Sequence, residues 1–355
     1  MQQITYPDKL NLVSVLGETI SKRSVQNLSN YYVSGTSGSD TNGTGAIFAP
    51  WRTISKAIDV LNAISGDITA TINIAAGVYN ETISIITKSG ISLIGASSLP
   101  NVTVLTGGIT FDMAANSSPT PFSIGGFQNI QLNGGIHHKQ THGFKNSLNV
   151  SNCLLVSPNS DYAIDTGISG SGIGALAEMT VKDCLIYMDT DADAIVINYT
   201  TVSMYNTQLI NNPNLNAGVH NFISVNGSGR INLSGCSITQ AYSGSANVGS
   251  LISINNTATV GSSSTINNCM LVYTSATNQG ADKRCITFSG NVDMKTYTII
   301  NNYFQCVGQS DTLCIIVYGT PQLNLVIGQN VAAGSVKDVS PSSSPYTKIS
   351  LSSVS

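Results

Sequence analysis

The chain has 355 residues, of which only 9% are charged, and its net charge is −3. About 25% charged residues would be typical of a soluble domain. The low charge and the lack of a basic run argue against binding of nucleic acid through a phosphate-contacting patch. Apolar residues make up 41%, which argues against disorder, and no apolar run approaches the roughly 18 residues of a membrane span. Gly, Ser, Thr and Asn replace the missing charge, as is typical of all-β proteins with many turns.

Residues 1–30 are polar and irregular, and we interpret them as an N-terminal arm or attachment segment. The first 18 residues lack the basic region and the apolar core of a signal peptide. We therefore expect the chain to fold in a reducing cytoplasm and to reach any outside destination by another route, such as assembly into a particle. Residues 335–355 lose the repeat described below and are interpreted as a C-terminal tail.

A strand, a helix and a second strand are predicted directly after the arm. The first strand is expected near Tyr31. After Pro50, apolar residues recur at i, i+3, i+4 and i+7, which is the spacing of one helix face: Ile54, Ala57, Ile58 and Leu61. Gly66 and Asp67 are typical of a helix end, and the run from Thr71 to Ile74 predicts a buried strand.

From residue 90 onward a short pattern recurs, and this repeat is the strongest structural signal in the sequence. In each unit a turn-forming residue precedes a small or apolar one, and a β-rich run follows. The predicted turn positions include Asn129, Asn152, Asn206, Asn268 and Asn302, since asparagine tolerates the left-handed backbone conformation. From Ile130 onward, successive units lie 23 to 34 residues apart. Such spacing predicts a parallel β-helix of about nine coils, which share strands but carry loops of different length.

The residue after each turn is predicted to point into the solenoid and to stack on its counterpart in the next coil. The predicted internal column is Ile130, Cys153, Cys184, Thr207, Cys236 and Cys269. The seven cysteines are dispersed and contain no CxxC pair, which indicates neither a disulfide framework nor a zinc site. For Cys153 and Cys184 we favour buried free thiols over a disulfide, because stacking places their Cβ atoms slightly too far apart.

The segment from Tyr31 to Tyr79 resembles the N-terminal cap of pectin-lyase-like right-handed β-helix proteins. The matching residues are Tyr32-Val33, Gly38-Ser39-Asp40, Gly43, Pro50-Trp51-Arg52-Thr53-Ile54, Ala57-Ile58, Gly66-Asp67 and Ile74-Ala75-Ala76-Gly77-Val78-Tyr79. The stretch from Ser89 to Gly95 resembles the first regular coil. The resemblance implies an all-β, single-stranded right-handed parallel β-helix over residues 31–334 with a helical N-terminal cap. The superfamily includes polysaccharide lyases and hydrolases, phage tailspikes and viral capsid proteins, so the fold leaves the function open.

One acidic cluster is a candidate for chemistry: Asp189, Asp191 and Asp193. If Met188–Ile197 is a strand, these carboxylates lie on one face, about 6.6 Å between neighbours. That distance suits an acid/base pair of a glycosidase or oxygen ligation of Ca²⁺. The alternative is a solvated turn that leads into the strand Ala194–Ile197. The motifs of polygalacturonase-like hydrolases are absent, since Thr141-His142-Gly143 is only a fragment of one.

Three of the four histidines lie close together: His137, His138 and His142. Histidines are ligands for transition metals, and a threefold axis could gather one from each subunit around an ion. The alternative is an exposed loop between coils. The sequence indicates no cofactor.

The favoured hypothesis is a virion structural protein, either a spike, a fibre or a minor capsid protein. It would be held to other capsid or tail proteins by residues 1–30, form a homotrimer by analogy with similar spikes, and could contact host glycans. The alternative is a polysaccharide-degrading enzyme (a lyase or a glycoside hydrolase) or a tailspike depolymerase, located outside the cell. Tyrosines that could stack on sugar rings are Tyr187, Tyr199, Tyr205 and Tyr242. A surface adhesin is a third, weaker hypothesis.

Overall fold

The structure, a computed structural model, describes most of the chain between residues 30 and 333. The described ranges are 30–64, 68–86, 90–112, 122–139, 146–157, 162–166, 178–189, 193–198, 200–213, 221–227, 229–242, 249–255, 263–275, 285–289, 295–307, 315–317 and 323–333. The predicted C-terminal tail and nearly all of the predicted N-terminal arm lie outside these ranges.

Within these ranges the strands form three all-parallel sheets, and the chain visits them in turn. Sheet A consists of β1 (Asn30–Val33), β2 (Ala70–Ile74), β5 (Ile91–Gly95), β8 (Phe122–Gln128), β11 (Asn146–Ser151), β14 (Glu178–Lys182), β17 (Thr201–Tyr205), β20 (Arg230–Ser234), β23 (Ser263–Asn267), β26 (Lys295–Ile300) and β29 (Leu323–Gly328). Sheet B consists of β3 (Gly77–Tyr79), β6 (Thr103–Leu105), β9 (Gln131–Leu132), β12 (Leu154–Val156), β15 (Leu185–Met188), β18 (Gln208–Asn211), β21 (Ser237–Tyr242), β24 (Met270–Ser275), β27 (Tyr303–Val307) and β30 (Val331–Ala333). Sheet C consists of β4 (Ile83–Ile86), β7 (Ile109–Asp112), β10 (Ile136–Lys139), β13 (Ile164–Asp165), β16 (Ile195–Asn198), β19 (Ile223–Asn226), β22 (Ile252–Asn255), β25 (Ile286–Ser289) and β28 (Ile315–Val317).

This is the predicted right-handed parallel β-helix, and it confirms the fold class. Each strand pairs with its counterpart about one turn of the solenoid away, so every coil extends all three sheets. Burial alternates along the strands, as in β2 and β5, where every second residue is buried. The inward side chains form one continuous apolar core, because a single coil cannot bury its own inner face.

The N-terminal cap contains the predicted helix, α1 (Ile54–Asn62), which buries the four apolar residues of the predicted face. Its first turn is capped twice. Thr53 accepts a hydrogen bond from the Lys56 amide at 3.1 Å, and the Glu81 carboxylate accepts from the amides of Ile54 and Ser55 at 3.0 and 2.7 Å. A carboxylate at this end also favours the helix because it compensates the positive end of the dipole.

The corner between sheets A and B is made by a single residue in the left-handed conformation. Asn129, Asn152, Asn206 and Asn268 have φ between 47° and 61°, as predicted for turn asparagines. Asn302 was predicted to occupy the same position, and this prediction is wrong. The left-handed residue in that coil is Asn301, with φ 56°.

Asn302 instead occupies the internal column. All six predicted column residues are buried, which confirms the column, and Asn302 and Asn330 extend it with 2% exposure each. The buried amide of Asn302 is fully bonded: its Oδ1 accepts from the Cys269 amide at 2.9 Å, and its Nδ2 donates to the carbonyl of Ile266 at 2.8 Å. The prediction failed because the corner and the column positions of this coil are both asparagine, Asn301 and Asn302.

The four described cysteines of the column form no disulfide with one another. Cys153 and Cys184 are free and buried, as are Cys236, Cys269 and Cys285. The Cys153 amide donates to the Cys184 sulfur at 3.4 Å, so the thiol serves as a weak acceptor inside the core. This confirms the interpretation of Cys153 and Cys184 as buried thiols.

Candidate functional site

The acidic cluster does not lie on one strand. β15 ends at Met188 and β16 begins at Ile195, so the condition for a shared strand face, one strand over Met188–Ile197, is not met. Asp189 and Asp193 lie at opposite ends of the corner between sheets B and C. Asp191 lies outside the described residues.

Each of the two described carboxylates bonds to a neighbouring coil. Asp189 Oδ1 accepts from Asn212 Nδ2 at 2.7 Å. Asp193 Oδ1 accepts from the Asn221 amide at 2.7 Å, and its Oδ2 accepts from Ser224 Oγ at 2.5 Å. These bonds fasten one coil to the next at this corner, as the solvated-turn alternative allows. A catalytic or calcium-binding role for Asp189, Asp191 and Asp193 stays a prediction.

Of the three predicted histidines, only His137 has a described side chain, and it has an acidic neighbour. His137 lies on β10 in register with Asp165 of β13, with 3.8 Å between Nδ1 and Oδ2. His142 and the side chain of His138 lie outside the described part of the chain. Among the described residues no group of three or more His, Cys, Asp or Glu side chains could hold a metal. A histidine metal site at His137, His138 and His142 stays a prediction.

The outward face of sheet A carries an open cleft that the sequence did not indicate. It consists of two depressions of about 260 and 400 Å³ that share Ile94 in their walls. Along its floor, one outward side chain from each of five neighbouring strands stands in register, and we call these five the cleft row: Tyr32, Asn73, Ile94, Gln128 and Ser151. At about 4.8 Å per strand the row is about 19 Å long.

A second register position lies beside the cleft row and deepens the cleft at its centre. Ser92 and Asn149 flank Gly126 there. A Cβ on Gly126 would lie 2.2 Å from the carbonyl oxygen of Asn149, so the packing of the coils forbids a side chain. The neighbouring Gly125, at φ 86°, lies at a register shift between β8 and β11. Two glycines inside a strand are the local sequence signal for such a close approach.

One tyrosine lies at the start of the cleft row and another lies beyond its other end. Tyr32 begins the cleft row and is half-buried, and Tyr205 continues the same register two strands beyond Ser151, with 41% exposure. Tyr187 lies on sheet B instead. Tyr199 and the side chain of Tyr242 lie outside the described residues.

Comparison with known proteins supports the fold. No family model matches the chain, and no curated protein is similar to it in sequence. A solved pectin methylesterase from carrot is similar over 92% of this chain and 89% of its own, with 13% identity and a TM-score of 0.51. A pectin methylesterase from Aspergillus niger covers 91% of each chain at 13% identity and a TM-score of 0.48. A GH136 lacto-N-biosidase from Eubacterium ramulus covers 90% of this chain and 70% of its own, at 9% identity and a TM-score of 0.36.

The carrot enzyme shows the parallel β-helix fold, as the cap residues implied. The hypothesis of a virion spike, fibre or minor capsid protein is contradicted, since the solved structure with this fold that matches the chain is a pectin methylesterase. The homotrimer, the attachment through residues 1–30 and the location stay predictions. No helix in the described ranges is long and apolar enough to cross a membrane.

Proposed function

We propose that this protein is a carbohydrate-active β-helix protein that binds a linear polysaccharide in the cleft of sheet A. The observation that carries the proposal is the cleft row, which places one outward side chain per strand over about 19 Å. A polymer lying along the solenoid axis would meet a new side chain at each strand spacing. A regular ladder of side chains thus suits a ligand that is itself a regular chain.

The chemistry of the cleft fits sugar rings. A pyranose ring has apolar C–H faces and a rim of hydroxyl groups, so it needs flat apolar contacts beside neutral hydrogen-bonding groups. Tyr32 and Ile94 provide apolar surface, and a tyrosine does so at a small cost in conformational entropy. The amides of Gln128 and Asn149 and the hydroxyl of Ser151 provide donors and acceptors.

The cleft is also largely pre-formed. Its floor is a sheet, whose strands hold side chains more precisely than loops do. The Asn73 side chain is oriented by donation from Nδ2 to the carbonyl of Tyr31 at 3.3 Å. A ligand that binds a pre-organised face loses less free energy to the ordering of side chains.

The proposal concerns binding by these residues. Cleavage of a glycosidic bond would use two carboxyl groups about 5 to 9.5 Å apart. The residues that line the two depressions include no Asp or Glu, and Asp189 and Asp193 belong to the corner between sheets B and C.

The proposal is tested by affinity electrophoresis of the full chain in gels that contain soluble linear polysaccharides, with the dissociation constant then measured by calorimetry. For the polymer that binds, Tyr32→Ala and Gln128→Ala are each expected to weaken binding about tenfold. The matched controls are Tyr187→Ala and Gln208→Ala, whose side chains point outward on sheet B.

Circular dichroism would show that each variant is folded. Equal losses in the sheet A and sheet B variants, or binding to no polysaccharide, would overturn the proposal.

A further inference from the structure

We infer that the polymer held in the cleft of sheet A is uncharged, so that the site takes a neutral glycan and not a polyuronate. This inference rests on the proposed function and names the substrate class of that site. It follows from the charge of the groups that line and surround the cleft.

The lining of both depressions consists of neutral groups. Hydrogen-bonding capacity comes from amides and hydroxyls, such as those of Asn73, Gln128 and Asn149, and the remaining lining is apolar or glycine. None of the lining residues is Lys, Arg, His, Asp or Glu. A sugar hydroxyl is satisfied by such partners, whereas a carboxylate is best held by a cation or by several aligned amide donors.

The first cation along the cleft row lies beyond its end and has an acidic neighbour. Lys182 is in register with Ser151, one strand outside the cleft. Its Nζ is 3.8 Å from Asp183 Oδ2, and both side chains are about half exposed. Asp183 therefore offsets much of the field that Lys182 would direct toward a bound carboxylate.

At the other end, the charges of the cap nearly cancel. Its described residues include three carboxylates and two cations: Asp40, Asp59 and Glu81, with Arg52 and Lys56. Asp40 accepts from the amides of Arg52 and Thr53 at 2.9 and 3.1 Å, which holds this carboxylate in place beside the Pro50 segment that lines the cleft. Partial burial raises the pKa of Asp40, but the hydrogen bonds from Thr53 and Arg52, together with the charge of Lys56, outweigh it and lower the pKa below its ordinary value. Asp40 is thus anionic at neutral pH, as is the protein as a whole, with a net charge of −3.

A polyuronate carries one carboxylate on every ring. Placing several of them in this cleft would remove water from each charge without supplying a cation, and an incompletely paired ion is costly to desolvate. A neutral chain loses only the hydration of its hydroxyls, which the amides and hydroxyls of the floor replace. The charge of the polymer is therefore expected to change its affinity for the cleft more than the identity of its sugars does.

The test uses pairs of hexasaccharides that differ only in charge. Each pair consists of a 1,4-linked uronic acid hexamer (galacturonate, glucuronate or mannuronate) and the same hexamer with every carboxyl group reduced to hydroxymethyl. Calorimetry with the full chain at low ionic strength is expected to show that the reduced member binds about tenfold or more tightly in each pair that binds. Its affinity is expected to change little with salt.

A charge-introducing variant provides the second arm. Gln128→Lys, at an exposed position of the cleft row, is expected to strengthen binding of the uronate hexamer several-fold and to make that binding salt-sensitive. Gln208→Lys changes an exposed glutamine on sheet B and adds the same charge away from the cleft. It is expected to leave unchanged the ratio of the affinities for the uronate hexamer and its reduced partner.

Two results would overturn the inference, and they differ. If the uronate member binds as tightly as its reduced partner, or more tightly, the cleft binds glycans but the inference of a neutral ligand is wrong. If no hexamer binds in either form, the proposed function fails and the inference fails with it.

Discussion

The first and the last described coils of the solenoid contain polar groups of different kinds. At the cap, carboxylate side chains near the surface accept hydrogen bonds from backbone amides: Asp40 from those of Arg52 and Thr53, and Glu81 from the start of α1. In the last described coils, the neutral amides of Asn302 and Asn330 lie inside the column, with 2% exposure each. Between them, one isoleucine, one threonine and four thiols fill the same column.

The difference follows from access to water. A carboxylate can be partly hydrated at the cap, so its charge strengthens the hydrogen bonds without the full cost of burial. Deep in the column no water is available, and a polar side chain is tolerated there only when each of its groups is paired. Asn302 meets that condition, since its amide bonds to the coil before it and to Asn330 in the coil after it.

The largest expected effect comes from breaking the buried amide pair. Asn302→Leu leaves the Cys269 amide, the Ile266 carbonyl and the Asn330 side chain each short of a partner. We expect the free energy of unfolding to fall by about 3–4 kcal/mol, measured by urea denaturation followed by far-UV circular dichroism. Cys269→Val, at the same column position one coil earlier, is the matched control and is expected to cost about 1 kcal/mol or less. If both variants lose the same free energy of unfolding, the buried amides contribute no more to stability than the thiols do.

Substitution in the cap is expected to lower stability less, and its effect is expected to depend on pH. Asp40→Asn weakens three hydrogen bonds, and we expect a loss of about 1.5–3 kcal/mol at pH 7. Because the folded-state pKa of Asp40 is lowered from 3.8, its contribution is present above about pH 4 and is lost as the pH falls through the lowered pKa. Trp51 fluorescence during urea denaturation reports on this cap, since Trp51 is the one tryptophan of the chain.

The difference between wild type and Asp40→Asn should therefore shrink as the medium is acidified below about pH 4. Asp59→Asn is the control for the change in net charge, since Asp59 is exposed on α1. A difference that persists undiminished in acid would show that the carboxylate charge of Asp40 contributes nothing to the cap.

Much of the fold could be predicted because each coil repeats the same two local requirements. One residue must adopt the left-handed conformation, and the next must fit a narrow internal column, so Asn152 with Cys153 and Asn268 with Cys269 have a recognisable form. The error at Asn302 arose where the column itself contains asparagine. A pattern of residue types cannot separate two adjacent asparagines when both positions accept that residue.

The cleft could not be predicted in the same way. Its floor takes one residue from each of five strands, and consecutive members of this row are between 21 and 41 positions apart in the chain. Only the register of the coils brings Asn73, Ile94 and Gln128 together. The acidic cluster is the opposite case: Asp189 and Asp193 are close in sequence, but a corner lies between them and each bonds to another coil.

The smallest expected effect concerns the coils between the two ends, where the corner residue bears the conformational strain. Asn206 has φ 47° and is exposed, and its Nδ2 donates to Asp183 Oδ1 at 3.3 Å. Asn206→Ala keeps the backbone bonds but places a residue that disfavours the left-handed region at this corner, so we expect a loss of about 1 kcal/mol in urea denaturation. Asn206→Gly removes the same hydrogen bond without the strain and is expected to lie within about 0.5 kcal/mol of wild type. If both variants lower the free energy of unfolding by the same amount, the hydrogen bond between the side chains of Asn206 and Asp183 stabilises these coils. The preference of asparagine for the left-handed conformation would then contribute nothing.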